Sequence, residues 1–167
     1  MNELDEYFRK LKVIVSEVDG VVTEGLVTYD ELCNTPFKQY CIKDFEAINE
    51  LKKEFIFVFL SADNSVSFNL FRKKNIPFYW ANKNKKEALI KVMNRYSVSP
   101  EETMYIGSTY SDIECVNLIP FSLCPEDAVT DIKKAARFHL NSISGMGVLS
   151  EVYDLLKAEI LRRKQCS

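Results

Sequence analysis

Three short polar clusters hold most of the side chains able to do chemistry in this chain: Glu17-Val18-Asp19-Gly20, Ser61-Ala62-Asp63 and Gly107-Ser108-Thr109-Tyr110-Ser111-Asp112. Acids two residues apart, with hydroxyls and a further acid elsewhere, are the groups used in proton transfer, nucleophilic attack and binding of hard divalent cations. Lys83, Lys85 and Lys86 add a cationic cluster that either faces an anion or opens a solvated helix. Three of these residues also have a plainer reading. Asp19 before Gly20 makes a common turn pair, Ser61 suits a strand end, and Asp112 suits a helix cap. Other chemistries are poorly served. His139 is the only histidine and sits in the strand-like Arg137-Phe138-His139-Leu140, where a structural role is expected. Cys33, Cys41, Cys115, Cys124 and Cys166 are scattered, with no Cys-x-x-Cys pair. They read as reduced thiols of a cytoplasmic protein, not as a zinc or disulfide framework.

Composition narrows the partners. A formal charge of −2 gives no attraction to nucleic acid or anionic membrane surfaces, so neither is expected as a partner. The start of the chain is acidic and lacks the apolar core of a signal peptide. The longest apolar run, Phe55 to Leu60, is far too short to span a bilayer.

The clusters need elements to position them. Val13 to Val18 reads as a β-branched strand ending at the Asp19-Gly20 turn. Val27 to Tyr29 and Phe37 to Ile42 flank a loop containing Pro and Asn, which predicts a β-hairpin. Phe45 to Lys53 has helical periodicity, Phe55 to Leu60 is a continuous apolar strand, and Asn64 to Lys74 is a helix. Phe78-Tyr79-Trp80 predicts a short strand in the core or at a subunit contact, and Lys85 to Tyr96 an amphipathic helix. Met104 to Gly107 is a strand, and Ser111 or Asp112 begins a helix running to Leu118. Phe121 to Leu123 is a strand, a helix starts at Pro125-Glu126-Asp127, and Phe138 to Leu140 is the last strand. The final helix starts at Val148 and runs to about Lys164. This alternation predicts an α/β, doubly wound, mainly parallel sheet of Rossmann type, with right-handed crossovers. In such sheets the chemistry lies beyond the carboxyl ends of the strands, where all three clusters fall.

On these residues the chain resembles the haloacid-dehalogenase phosphatases. Those proteins carry Asp-x-Asp-Gly after the first strand, Thr or Ser after the second, a later Lys, and Gly-Asp-x-x-x-Asp after the fourth. Here Glu17-Val18-Asp19-Gly20, Ser61, Lys86 and Gly107-Ser108-x-x-x-Asp112 stand in the same order. Val18 to Gly25, the hairpin, Phe37 to Ile48, and Ser144-Gly145-Met146-Gly147-Val148 resemble one small capless branch. It contains 3-deoxy-manno-octulosonate 8-phosphate phosphatase and the C-terminal domain of CMP-sialic acid synthetases. The resemblance covers roughly residues 12 to 156. It implies one domain over 1–167 with no separate cap: an N-terminal helix in 1–11, a core over 12–156 that includes a hairpin at 27–41, and a C-terminal helix over 148–164.

The resemblance also assigns roles. Glu17 stands at the nucleophile position, Asp19 at that of the acid and base, and Ser61 and Lys86 hold phosphoryl oxygens, with Lys83 and Lys85 as alternatives for the lysine. Mg²⁺ is expected, weakly held or absent, at Glu17, the Asp19 backbone carbonyl, Asp112 and the Ser108 position. Asp44 matches a family aspartate, with Phe45 in place of the following glycine. The departures share a direction. Glu17 is one methylene longer than aspartate, Ser108 replaces a carboxylate, Met146 stands where the phosphatases have arginine, and Ala62-Asp63 replaces Gly-Arg. They point to a weak or inactive phosphatase homologue serving as an oligomerisation or regulatory subunit in acidic-sugar metabolism. By resemblance it forms a homotetramer centred on the hairpins, with a nucleotide-sugar synthesis enzyme as possible partner. The alternative is an active Mg²⁺-dependent phosphatase of a small acidic sugar phosphate. A phospho-acceptor receiver domain is set aside, because Trp80-Ala81-Asn82 offers no acid after the third strand.

Overall fold

The computed structural model describes residues 3–62, 66–81 and 83–166. Six strands form one parallel sheet: β1 Val13–Ser16, β2 Ile56–Ser61, β3 Phe78–Trp80, β4 Thr103–Ile106, β5 Phe121–Cys124 and β6 Phe138–His139. Their order is β3-β2-β1-β4-β5-β6. Helices α1 Glu3–Lys10, α2 Ile42–Leu51, α3 Val66–Lys73, α4 Lys85–Tyr96, α5 Ile113–Leu118, α6 Thr130–Ala135 and α7 Val148–Cys166 cover the sheet. The α/β, doubly wound, Rossmann-like reading holds.

The strands are apolar because both faces are covered, and alternate residues enter different cores. Ile14, Phe57, Phe59, Met104, Ile106 and Leu123 pack on one side with Ile48 of α2 and Val152 of α7. Val13, Val15, Val58, Leu60 and Tyr105 pack on the other with Leu89 of α4 and Val116 of α5. Each such large side chain contributes roughly 1.5–3 kcal/mol by leaving water. Chain order reverses between β1 and β4, where Ser16 pairs in register with Ile106. The loops leaving these two strands are therefore neighbours at the switch point, where doubly wound sheets bind ligands.

Three local expectations need correction. Residues 27–41 contain no strand. Asp30 closes a turn by accepting from the Leu32 and Asn34 N–H groups, and the Asp30 N–H donates to the Asn34 carbonyl, but no ladder extends along the arms. Leu26, Tyr29, Leu32 and Phe37 of this arm are exposed, so no core face pins a strand register. The helix expected from Pro125 starts instead at Thr130: Ala128 closes a turn on Pro125, and the Val129 N–H is drawn to the Ser108 carbonyl. The second helix begins earlier than Phe45, at Ile42. The expected helix start at Asn64 lies outside the described residues. Among the described residues, no helix is long and apolar enough to cross a membrane.

Candidate active site

The loop leaving β1 is shaped before any side chain acts. The Glu17 N–H continues the sheet by donating to the Ile106 carbonyl at 2.9 Å. The Val18 carbonyl then accepts from the N–H groups of Val21, Val22 and Thr23, rolling the chain into a tight turn. Gly20 holds φ +82°, and a side chain there would collide with the Ser108 hydroxyl. Both the backbone angle and the close approach call for glycine.

Glu17 is buried, with 3 % of its surface exposed. Its Oε1 accepts from the Val18 N–H at 2.7 Å, and its Oε2 touches the Lys85 ammonium. Lys85 opens α4, whose N-cap is the Asn84 side chain accepting from the Glu87 N–H. A lysine ammonium in a first helical turn opposes the helix dipole. Here two carboxylates offset it, because Lys85 also donates to Asp112 Oδ1 at 2.7 Å. The lysine that reaches the acids is therefore Lys85 and not Lys86, which is only half-buried on the next helical position. Sequence left this open, because only the cap geometry settles which residue of the run turns inward.

Asp112 is fully buried and its oxygens are filled. Oδ1 accepts from Lys85 and from the Tyr105 hydroxyl, while Oδ2 accepts from the Ser108 and Thr109 N–H groups and the Thr109 hydroxyl. It clamps the β4 loop, with protein donors on both oxygens. Burial first, and then the Asp112 charge, push the Tyr105 phenol well above its ordinary range, so it stays a donor. Gly107 is needed here: a Cβ would come within 2.7 Å of Asp112 Cβ and 2.9 Å of the Tyr105 ring. The Ser108 hydroxyl donates to the Asp19 carbonyl oxygen at 3.4 Å.

Asp19 is partly open, with 30 % of its side chain exposed. Lys38, which the sequence reading missed, comes in from the arm and donates to both its oxygens at 2.8 and 2.7 Å, while the Thr23 hydroxyl takes Oδ1 at 2.8 Å. The arm's lack of regular structure hid Lys38 from pattern reasoning. Ser61 ends β2 and is buried on the same sheet edge; Asp63 lies outside the described residues.

Asp44 is buried away from this cluster. Its Oδ1 caps α7 by accepting from the Leu149 and Ser150 N–H groups at 2.8 and 3.1 Å, and burial holds its carboxyl above the usual range. Its Oδ1 thus serves a structural contact. Before α7, the Ser144 hydroxyl donates to the Gly20 carbonyl at 2.6 Å and the Gly145 N–H donates to the Val21 carbonyl. The tail loop is thereby fastened to the β1 loop, with Met146 exposed.

Whether a divalent cation suits this edge turns on its donors. The donors on this edge are the Glu17 carboxylate, the Asp19 carbonyl and the Ser108 hydroxyl 3.4 Å from that carbonyl, of which only the first is ionised. Mg²⁺ is commonly held by one or two carboxylates, with water and substrate phosphate completing its shell. The donors fit Mg²⁺ in that limited sense.

The family pattern of haloacid dehalogenase-like hydrolases matches residues 27–152. The chain is 25% identical over 156 residues to 3-deoxy-D-manno-octulosonate 8-phosphate phosphatase of Haemophilus influenzae, covering 92% of this chain and 86% of that protein. It is 22% identical over 147 residues to N-acylneuraminate cytidylyltransferase of Oncorhynchus mykiss, covering 84% of this chain but 34% of that protein. The cobalt-bound structure of the Haemophilus phosphatase superposes with a TM-score of 0.85 at 25% identity, over 91% of this chain and 90% of that one. The phosphatase of Moraxella catarrhalis, solved with magnesium, phosphate and KDO, gives 0.86 at 19% identity, over 95% and 92%, a likeness of fold.

Proposed function

The chain belongs to the haloacid dehalogenase-like hydrolase family, and from that premise we propose that it is a slow phosphomonoesterase acting on a small acidic sugar phosphate. The observation that carries this reading is the buried contact of Glu17 with Lys85, with Asp19 two residues along the same turn. Likeness to a named octulosonate phosphatase supports the substrate class.

In the proposed reaction Glu17 attacks phosphorus, forming an acyl phosphate as the ester P–O bond breaks. The Asp19 carboxylate relays a proton from its Lys38 partner to the departing sugar oxygen. It then takes a proton from water, whose oxygen attacks phosphorus and returns Glu17 as carboxylate with release of phosphate. Lys85 offsets negative charge beside Glu17, and Lys38 and Thr23 hold Asp19 in place. Bound Mg²⁺, held by Glu17, the Asp19 carbonyl and Ser108, would supply further charge neutralisation. The extra methylene of Glu17 shifts its carboxylate by roughly 1 Å, and misplacement of that order costs about a hundredfold in rate.

The test is release of inorganic phosphate from 3-deoxy-manno-octulosonate 8-phosphate and from p-nitrophenyl phosphate in the presence of Mg²⁺. Slow release that disappears in Asp19→Asn is expected; release no faster than in that variant defeats the reading.

A second reading, a catalytically silent oligomerisation or regulatory subunit in acidic-sugar metabolism, is favoured by Ser108 at a carboxylate position and by the exposed apolar arm. In it, a cytoplasmic homotetramer forms through the arms, beside a nucleotide-sugar synthesis enzyme. Light scattering that gives the mass of four chains, together with no phosphate release, fits this reading; a monomer at micromolar concentration does not.

A further inference from the structure

We propose that Asp127 is a positioning residue: acting through Ser144, it fixes the turn that carries Asp19. The inference deepens the phosphatase reading and rests on it for the effect on rate.

Asp127 lies between β5 and α6, whereas the turn it serves follows β1. Among the described residues its carboxylate bonds to Ser144 alone. Oδ1 accepts from the Ser144 N–H at 2.8 Å and lies 2.8 Å from the Ser144 hydroxyl oxygen. That hydroxyl has one hydrogen and two acceptors within reach, and the Gly20 carbonyl is the nearer at 2.6 Å. The bond from the main chain of Ser144 to Asp127 therefore sets where the serine stands, and the hydroxyl reaches the turn from there.

The tail loop is fastened along the end of β5 at every second residue. The Leu140 N–H donates to the Cys124 carbonyl, and the Glu126 N–H donates to the Ser142 carbonyl. At Ser144 the main-chain partner gives way to the Asp127 side chain. A carboxylate accepting from an N–H is a charge-assisted contact, roughly twice as strong as a neutral one. It stands where the loop leaves β5 for the β1 turn. One residue on, the Gly145 N–H donates to the Val21 carbonyl, and a Cβ on Gly145 would come within 2.7 Å of the Glu24 nitrogen. With backbone against backbone, a shift of the tail loop passes directly to residues 20–24. Two residues past Asp127, the Val129 N–H donates to the Ser108 carbonyl at 3.0 Å. One short segment thus holds the β1 turn through Ser144 and the β4 loop directly.

The test compares Asp127→Ala, Asp127→Asn, Ser144→Ala and the double alanine variant with the unaltered whole chain. Asp127 is exposed, so its replacement removes little buried surface. In Asp127→Ala, kcat for phosphate release should fall by about tenfold to a hundredfold with KM little changed, as for reacting groups misplaced by up to roughly 1 Å. Asp127→Asn keeps an acceptor oxygen and should stay close to the unaltered chain. The double variant should lose less than the two single losses combined, because both residues act along one path. Hydrogen exchange of the Val21, Val22 and Thr23 amides, which bond to the Val18 carbonyl, gives a readout that needs no turnover. It should speed by at least about tenfold in Asp127→Ala, with the β1 and β4 amides and the melting temperature little changed. Unchanged exchange in the turn overturns the proposal, as does an Asp127→Asn variant that behaves like the alanine one. So does an unchanged kcat where the unaltered chain releases phosphate. If the unaltered chain releases none, the phosphatase reading falls and the exchange result alone decides this one.

Discussion

The Lys85 ammonium stands between Glu17 and Asp112, touching Oε2 of the first and donating to Oδ1 of the second at 2.7 Å, with 5 % of its side chain exposed. It joins the loops leaving β1 and β4 to the start of α4. A buried ion pair adds little net stability, but removing one partner leaves a charge stranded without water.

Lys85→Met therefore should lower unfolding free energy by about 3–5 kcal/mol. Lys86→Met, one residue on, should change it by no more than about 0.5 kcal/mol. Urea denaturation of the two variants in parallel checks this. Equal effects would show that the inward lysine has been misassigned.

Shortening the acid should improve the attack geometry. Glu17→Asp draws the carboxylate back by roughly 1 Å and is expected to raise phosphate release by up to about a hundredfold. Steady-state kinetics with a phosphate-release assay measures it, and a fall in rate would mean that the longer side chain is the adapted one.

Asp44 makes a pH-dependent contribution. Burial raises its folded pKa above the unfolded value near 3.8, so the folded state binds the proton more tightly. Its proton-linked stabilisation is full below the unfolded pKa and is lost as pH rises through the raised folded one. Asp44→Ala should cost about 1–2 kcal/mol through loss of the α7 cap. The deficit relative to the unaltered chain should be greater at acid pH than at neutral pH. Denaturation curves at several pH values decide the point, and a deficit that grows toward neutrality would reverse the sign.

The thiols should divide by environment. Burial pushes Cys115 up to about 12 and Cys124 to about 11, whereas Cys33 is exposed on the arm. At pH 8 an aromatic disulfide reagent should modify Cys33 quickly and leave Cys115 and Cys124 untouched until the chain unfolds. Mass spectrometry of partly labelled protein would locate the sites.

Much of the fold was legible because apolar strand runs and helical stripes write themselves in local periodicity, as at Phe57 to Leu60 and Lys85 to Tyr96. The acids Glu17, Asp19 and Asp112 were legible because strand ends in a doubly wound sheet converge. What escaped was set by tertiary geometry. Whether Lys85 or Lys86 turns inward depends on the Asn84 cap, and Lys38 reaches Asp19 from an arm with no period to read. The donors that Asp112 gathers on both its oxygens come from α4, β4 and its own loop, which no local pattern announces. Asp44 matched a site motif, but its partners lie 105 and 106 residues away in α7.

The hydroxyl of Ser144 anchors the carbonyl of Gly20 across 124 residues of chain. A ribosome emits the first acids early and their fastening late, so the reactive turn stays unbraced through most of synthesis. A nascent or truncated polypeptide stopping short of that serine would carry every charged side chain of the cluster and still lack the backbone brace that gives them a fixed aim.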